Sequence, residues 1–427
     1  MTEGVFWSAS ESRQDWTDAQ NRLAAHSVSY GQEHSPEIRH RLERAGISAG
    51  SVRTVTDLSG IPVLSKDDLP ELQAANPPFG GMLAVPVSEL RRIYRSPGGI
   101  SDPEGREEDF WGIAPALWAA GFRPGHVVLN TLSYHLTPGG HMLDSGLRAV
   151  GCVIVPGGVG NTGEQIETAF HTGVTGYVGT PQFLETLVDR SLEVRNEHPF
   201  ERALVTGGPL FPAVRSRLED DHGIDVFQAY GTADAGVLGY ECETKDGWHV
   251  SPRVIVEVVT PDTGEVAANG EPGEVVVTSS NFVYPLLRFG TGDLSALSRA
   301  PCPCGRTTPR LAGFLGRVGE GVKVRGMFVH PRQLAAVLGN DPTVGRYQGV
   351  VSTDGRDDSL VISIEPAEGE ALDVEGLTDA VARAVGLRVT VQPAPAGSIP
   401  EDARPLVDSR THPGTGLEDI LPGSSGV

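Results

Sequence analysis

Lysine is nearly absent from this chain. Among its 34 basic residues only Lys66, Lys245 and Lys323 are lysines, so almost every fixed positive charge is a broad guanidinium fork and not a compact ammonium. Cysteine is as sparse, with four in 427 residues, which excludes a disulfide framework and fits a reducing, cytoplasmic location. No run approaches the ~20 apolar residues of a membrane span, and the opening residues, with Glu3, Glu11 and Asp15, carry no basic-then-apolar secretion signal. Positive charge is in deficit: 34 Lys+Arg against 55 Asp+Glu leave −21. Such a chain has no general attraction for nucleic acid or an anionic membrane, so an anionic ligand must be held locally, by backbone amides or single arginines. What remains is globular in composition, 39% hydrophobic and 21% charged. At ~150 residues per domain the length predicts two or three domains.

Periodicity divides the chain into three parts. The first ninety residues alternate apolar and charged positions at helical spacing over 18–25 and 37–45, and Ser65-Lys66-Asp67-Asp68 has the form of a helix start, with Ser65 as N-cap and Asp68 at the capping-box position. From about 91 to 300, short Val/Ile-rich runs at 126–129, 151–155, 176–179, 203–206 and 225–228 alternate with helical stretches at 110–120 and 181–188. That alternation predicts an α/β fold with a mostly parallel, doubly wound sheet. A β-rich stretch follows, in which 253–260 and 273–278 flank the turn sequence Pro261-Asp262-Thr263-Gly264. Beyond 318 a smaller α+β unit is expected, with a helix at 372–384 and a strand at 387–391, and residues 411–427 have the composition of a disordered tail.

Two glycine loops invite a nucleotide. Gly158-Val159-Gly160-Asn161-Thr162-Gly163 fits G-x-G-x-x-G after a strand, but no acidic residue ends a second strand about twenty positions on, so a plain strand-to-helix turn explains it better than a dinucleotide site. Residues 95–105, around Ser96, Gly98, Gly99 and Ser101, are rich in small side chains and precede a helix expected near Glu107. They have the makings of an amide cradle for phosphates, yet lack the Lys-Ser/Thr pair of a Walker loop.

Four later segments occur in a telling order: Ala229-Tyr230-Gly231-Thr232-Ala233-Asp234, Arg288-Phe289-Gly290-Thr291-Gly292-Asp293, Gly316-Arg317-Val318-Gly319, and Lys323 to Pro331. With the text around His34 and Ser65–Leu69, they resemble the adenylate-forming superfamily, most closely its phenylacetate–coenzyme A ligase-like branch, over about residues 5–410. The resemblance implies a large N-terminal adenylate-forming domain (1–317, with the β-rich stretch 235–310) and a small α+β C-terminal lid (318–410). It also implies a two-step chemistry: a carboxylic acid attacks ATP to give acyl-adenylate and pyrophosphate, and coenzyme A thiolate displaces AMP. On this pattern Asp293 would accept hydrogen bonds from the ribose hydroxyls, and Tyr230 with the backbone of Gly207-Gly208-Pro209 would sandwich adenine. Thr232, beside Gly231, would reach the α-phosphate, and Asp234, standing where the family has Glu, would hold Mg²⁺ through a hard oxygen. Arg317 would contact ribose or phosphate, and Ser96–Ser101 would cover the outer phosphates. Tyr134-His135 match an aromatic segment beside the carboxylate; His135 either steadies charge there or is a structural histidine. Tyr134, Phe183 and the 227–230 strand end would line an aromatic acid pocket, or equally a core.

The cysteines form a second pattern. Cys242 lies seven residues before His249, and Cys302-Pro303-Cys304 follows after the hairpin strands. Three thiolates and one imidazole are the ligand set of a closed structural zinc site, which some members of the branch share; the bland reading is unconnected buried thiols. Cys152, on an expected strand, is left out as core.

The sequence also departs from the family. A C-terminal lysine that bridges carboxylate and α-phosphate is missing. One register places Arg404 there, and counting back from Val407 places Asp402 there; no lysine follows Lys323. The phosphate loop has lost its lysine, and Gly319 replaces a hinge aspartate. All three fall on the ATP half-reaction. The reading is therefore an AMP-forming acyl- or aryl-CoA ligase requiring ATP, Mg²⁺, coenzyme A and structural zinc. The alternatives are transfer to a carrier protein or an amine, or a non-catalytic nucleotide-binding relative.

Overall fold

The N-terminal layer shows how local signals set the elements. Ser35 caps a helix by accepting the Ile38 amide at 3.4 Å, Pro36 fills its first turn, and Gly46 closes it in the left-handed conformation. The computed structural model describes residues 13–410 except 97, 262, 280, 319–321, 326, 330, 354–356, 368 and 401–402. The expected tail and the hinge position Gly319 lie outside the described residues. The described chain opens with α1 (Arg13–His34) and α2 (Pro36–Ala45), then β1 (Leu64–Ser65) and α3 (Leu69–Ala75). Ser65 does cap, but it accepts the Asp67 amide at 3.2 Å and starts only the single 3₁₀ turn Lys66–Asp68; Asp68 makes no cap hydrogen bond. The expected capping box is therefore absent, because Pro70 restarts the chain as a separate helix.

A hairpin, β2 (Arg92–Arg95) and β3 (Ser101–Glu104), precedes α4 (Ala114–Ala119). No helix starts near Glu107, and the helix expected over 110–120 forms only as its C-terminal part, Ala114–Ala119. Asp109 and Gly112 take φ of 51° and 72°, which breaks a right-handed run, and the Asp109 carboxylate instead caps the amides of Ile113 and Ala114 at 2.7 and 3.1 Å.

The alternating stretch becomes β4 (Val127–Asn130), α5 (Gly139–Val150), β5 (Val153–Pro156), α6 (Thr162–Thr172), β6 (Gly176–Gly179), α7 (Pro181–Arg195), β7 (Arg202–Val205), α8 (Pro212–Ser216) and β8 (Asp225–Thr232). These strands pair in parallel in the order β5-β4-β6-β7-β8. The strand alternation assigns the two faces. Val128, Val178 and Leu204 pack with Leu117, Leu143 and Leu147 of α4 and α5, while Leu129, Ala203 and Val205 face Ile166, Leu184 and Leu187 of α6 and α7. Each buried leucine contributes about 1.5–3 kcal/mol relative to exposure. In such an order the strands stay parallel but the winding of successive strands reverses between β4 and β6, and ligands of such folds bind outside the carboxyl ends at that switch point.

The sheet then turns antiparallel. β8 pairs in parallel with β7 through Gln228, then antiparallel from Ala229 with β9 (Gly236–Tyr240), with a bulge between Tyr230 and Gly231. The strands β10 (Trp248–Val250), β11 (Val254–Val259), β12 (Pro272–Ser279), β13 (Leu286–Ser298) and β14 (Arg310–Leu311) complete the β-rich stretch, and the two-residue strand β15 (Gly316–Arg317) follows.

The chain divides into compact units after Gly316. The second unit holds the hairpin β16 (Val322–Val324) and β17 (Met327–Val329), α9 (Pro331–Leu338), β18 (Val344–Thr353), β19 (Asp358–Pro366), α10 (Val374–Val385), β20 (Thr390–Pro393) and β21 (Leu406–Asp408), with sheet order β20-β19-β18-β21. Its helix starts two residues later than the periodicity predicts because Asp373 caps it, accepting the Gly376 amide at 3.0 Å.

Candidate functional site

Asn130 ends β4 beside the switch point. Its amide nitrogen donates to the Tyr134 hydroxyl and to the Gly140 carbonyl, both at 2.8 Å, and so fixes the turn into α5. Gly140 is required there, since a Cβ would stand 2.8 Å from the carbonyl oxygens of Leu132 and Ser133. The ring placed against Tyr134 is His141, edge-on at 5.0 Å, and it also meets Tyr94 at 5.6 Å. Burial lowers the His141 pKa, with Arg92 adding to the effect. His135, the histidine singled out from sequence, is exposed. Of the other expected pocket aromatics, Phe227 is buried in the core and Phe183 packs against the α6–α7 face.

Tyr230 leaves the sheet at the bulge of β8. One face of its ring stacks on Trp248, centroids 5.1 Å apart and planes 19° from parallel, and its hydroxyl donates to the Asp293 carboxylate at 2.9 Å. Asp293, buried on β13, is oriented by its own amide, which donates to the Thr291 hydroxyl at 3.1 Å. The turn after β7 carries Gly207, with φ of 74°, and Gly208, where a Cβ would lie 2.9 Å from the Gln182 oxygen; the Gln182 amide in turn donates to the Pro209 carbonyl at 2.9 Å. Thr232 accepts the Ala235 amide at 3.1 Å, tightening the turn that presents Asp234.

Asp234 is not alone. Lys66 Nζ lies 2.5 Å from its Oδ2. The parallel pairing of β1 with Phe289 and Gly290 of β13 delivers that lysine to the site. Burial works against the ammonium, but Asp234, Asp102 and Asp293 outweigh it and raise the Lys66 pKa. Asp102, from β3, is buried against the same pair; burial first, then the Asp234 charge, holds its carboxyl well above the usual carboxylate range. Neither Lys66 nor Asp102 was singled out from sequence.

The loop expected to cover phosphates is the turn of the β2–β3 hairpin. The Ser96 amide donates to the Ile100 carbonyl at 2.8 Å, Gly99 takes φ of 79°, and Gly98 is exposed. Ser101 is buried with its amide already given to Gln73 Oε1 at 2.7 Å, so the backbone amides left at the tip are fewer than the sequence suggests.

The four zinc candidates do converge. One ligand atom each from Cys242, His249, Cys302 and Cys304 lies within 4.8 Å of the others. Cys242 Sγ and Cys302 Sγ are 3.7 Å apart, and Cys304 Sγ lies 3.3 Å from His249 Nε2. A tetrahedral zinc with ~2.3 Å bonds to sulfur spaces its thiolates about 3.8 Å apart, so this donor set fits that ion. His249 Nδ1 is held by the Thr308 hydroxyl at 2.9 Å, which leaves Nε2 for a metal. Burial pushes the Cys242 thiol up to about 12 and, aided by Arg306 and Arg310, pulls His249 down to about 4. Arg306, whose side chain is 5% exposed beside the thiols, suits the net negative charge that three thiolates would leave on a divalent ion.

Arg317 lies at the start of the second unit. Arg404 is exposed in the loop before β21, where its carbonyl accepts from Gln348 at 3.1 Å; the alternative Asp402 lies outside the described residues.

Comparison with known proteins supplies the remaining observations. The profile of the family described as AMP-binding enzyme matches residues 110–284. A phenylacetate-coenzyme A ligase of Thermus thermophilus is 33% identical over 357 residues, covering 80% of this chain and 79% of that protein. One from Escherichia coli K12 is 28% identical over 80% of each chain. Among solved structures, 2-hydroxyisobutyryl-CoA ligase in complex with 2-HIB-AMP and CoA superposes with a TM-score of 0.82 at 23% identity, over 96% of this chain and 95% of that one. The amide bond synthetase McbA of Marinactinospora thermotolerans matches with a TM-score of 0.56 at 17% identity, over 91% and 83%. No helix among the described residues is long and apolar enough to cross a membrane.

Proposed function

Because the chain belongs to the phenylacetate–coenzyme A ligase family of the AMP-binding enzymes, we propose that it activates an aryl or arylacetic acid with ATP and passes the acyl group to coenzyme A. It is an AMP-forming acid–thiol ligase. The acid's carboxylate oxygen attacks the α-phosphate, giving acyl-adenylate and pyrophosphate, and coenzyme A thiolate then displaces AMP. The observation that carries the reading is the Tyr230–Asp293 pair, set at the sheet's bulge in a chain one-third identical to a named ligase. Curated relatives named as coenzyme A ligases favour coenzyme A over a carrier protein or an amine as acceptor, and their named acid favours an arylacetic substrate.

In this reading Asp293 accepts the ribose hydroxyls, each such charge-assisted bond contributing about 1.5–3 kcal/mol. Tyr230, braced by Trp248, offers its other face to adenine opposite the Gly207–Pro209 turn. Thr232 approaches the α-phosphate, Gly98 gives its turn amide to the outer phosphates, the Gly99 amide being held by the Ser96 carbonyl at 2.9 Å, and Arg317 contributes a guanidinium to ribose or phosphate. Asp234 would hold Mg²⁺, a hard ion suited to a carboxylate, which neutralises phosphate charge when bound. The acid lies against Tyr134 and His141 at the β4 end, and Arg404 supplies the positive charge that bridges carboxylate and phosphate. Zinc fills the Cys242, His249, Cys302 and Cys304 centre as a structural ion, with no position left open for chemistry.

Acid-dependent exchange of labelled pyrophosphate into ATP tests this across aryl, arylacetic and short aliphatic acids. Exchange is expected with arylacetic acids, and Arg404→Lys is expected to raise it, because a compact ammonium fits a bridging site better than a planar fork. Silence from both proteins with every acid would remove the ligase reading.

A further inference from the structure

The phosphate-binding turn has lost its lysine, and the same hairpin brings a carboxylate into the site. Asp102 is 1% exposed, and neither of its oxygens receives a hydrogen bond. The nearby Ser96 hydroxyl is committed to the Ile100 carbonyl at 3.2 Å. Asp102 instead lies beside the Asp234 carboxylate, whose charge adds to burial in raising its pKa, and Asp234 Oδ1 likewise lacks a donor. Two carboxylates in contact inside a protein need a proton or a cation between them. Among the described residues the cation beside them is the Lys66 ammonium, which reaches Asp234 at 2.5 Å and makes no hydrogen bond to Asp102.

A triphosphate entering this corner would meet two buried carboxylates and a single ammonium. Direct contact is repulsive, whereas hard oxygen donors from two side chains are what Mg²⁺ or Mn²⁺ takes alongside phosphate oxygens. We propose that Asp102 and Asp234 together form a two-carboxylate site for a divalent cation, with Lys66 as the resident counter-ion that the metal displaces. The proposal rests on the reading of Asp234 as the metal-bearing carboxylate and adds to it a second ligand, supplied by the loop that lost its lysine. Lys66 is then free to turn toward the phosphates, a fixed positive charge on the large unit in a chain with only three lysines. Metal and ammonium compete for one carboxylate, so the two ligands and the lysine must respond in opposite directions to substitution.

Mn²⁺ binding to the full-length, zinc-loaded protein, followed by the loss of the free-ion electron paramagnetic resonance signal without nucleotide, tests this directly. The wild-type protein should bind Mn²⁺ and release it to excess Mg²⁺. Asp102→Asn and Asp234→Asn should each weaken binding at least tenfold, and Lys66→Gln should tighten it several-fold. Asp102→Asn is isosteric and relieves a like-charge contact, so it should fold as the wild type does; Lys66→Gln reads the same site from the other side. Equal Mn²⁺ affinity in wild type and Asp102→Asn, with loss only in Asp234→Asn, would overturn the two-carboxylate site while leaving the ligase reading intact. No Mn²⁺ binding by wild type or by Lys66→Gln would overturn it in favour of a shared proton. Pyrophosphate exchange on the same samples reports the ligase reading separately.

Discussion

Replacing Arg288 with methionine should destabilise the large unit by about 3–5 kcal/mol, the cost of breaking a buried ion pair by removing one partner. Its side chain is 2% exposed. Nε donates to Glu257 at 3.1 Å, Nη1 to the carbonyls of Ser59 and Ile61 at 3.1 and 2.8 Å, and Nη2 to the Gly264 carbonyl at 2.7 Å. Methionine keeps much of the volume but satisfies none of these acceptors and leaves Glu257 buried without its cation. The backbone adds no difference, because arginine already sits at φ of 44° and methionine would inherit the same strain. Urea unfolding should show the midpoint falling with an unchanged slope. Adding Glu257→Leu should recover part of the loss, since an uncompensated charge is worse than an apolar pair. A loss below about 1 kcal/mol would mean that water reaches the guanidinium. The same contacts have a functional consequence: Ser59 and Ile61 lead directly into β1, so Arg288 holds the segment that delivers Lys66 to Asp234.

That connection marks the limit of what the sequence discloses. Asp293, Tyr230 and Asp234 are legible because each belongs to a short motif whose order along the chain is distinctive. Arg288 opens one of those motifs, yet its role depends on carbonyls more than two hundred positions away. Lys66 reads only as a residue in a helix start, and its partner lies 168 positions on. Spacing along one strand or helix carries no trace of such a pair. Trp248 is similar: a tryptophan on a β-rich stretch reads as core, and only the antiparallel return of the sheet puts it behind Tyr230.

Local conformation misleads in the other direction. The Ser96–Ser101 segment has the composition of an open phosphate cradle, but Ser101 is drawn inward by Gln73 and the turn closes on itself. His135 stood out through its neighbour Tyr134, whereas the helix that starts at Gly139 turns His141 onto that ring. The parallel strands were readable within about two residues, since buried Val/Ile runs need no partner to be recognised. Strand ends were not, because β8 runs on through the bulge at Tyr230 only where β9 folds back to receive it.

Stripping the metal from the cysteine centre should be the second large effect. The four donors come from two chain segments, 242–249 and 302–304, so a bound ion ties the turn after β9 to the loop between β13 and β14. Without it burial keeps the Cys242 thiol protonated, pushed up to about 12, and holds His249 uncharged at about 4; burial acts on Cys302 too, but hydrogen bonds from Thr244 and Cys304 outweigh it and lower that thiol. Weak thiol contacts, Cys242 to Cys302 at 3.7 Å and Cys304 to His249 at 3.3 Å, then stand in for the much stronger metal bonds, and Arg306 loses the anionic cluster it faces. The purified protein should contain close to one equivalent of zinc by elemental analysis. A strong chelator, or Cys242→Ser, should lower stability by several kcal/mol, which at about 1.5 °C per kcal/mol for a unit of roughly 300 residues means a fall in Tm of about 5–10 °C. Because the thiols must lose their protons to bind the ion, zinc retention against a chelator should weaken steadily as pH is lowered toward 5. Pyrophosphate exchange should fall in step with the folded fraction and no further, since a site with all four positions filled by protein holds the fold and leaves no place for substrate. Zinc-free protein with an unchanged Tm would mean that the thiols pack as core. A loss of exchange while the protein remained folded would assign the ion a part in the reaction.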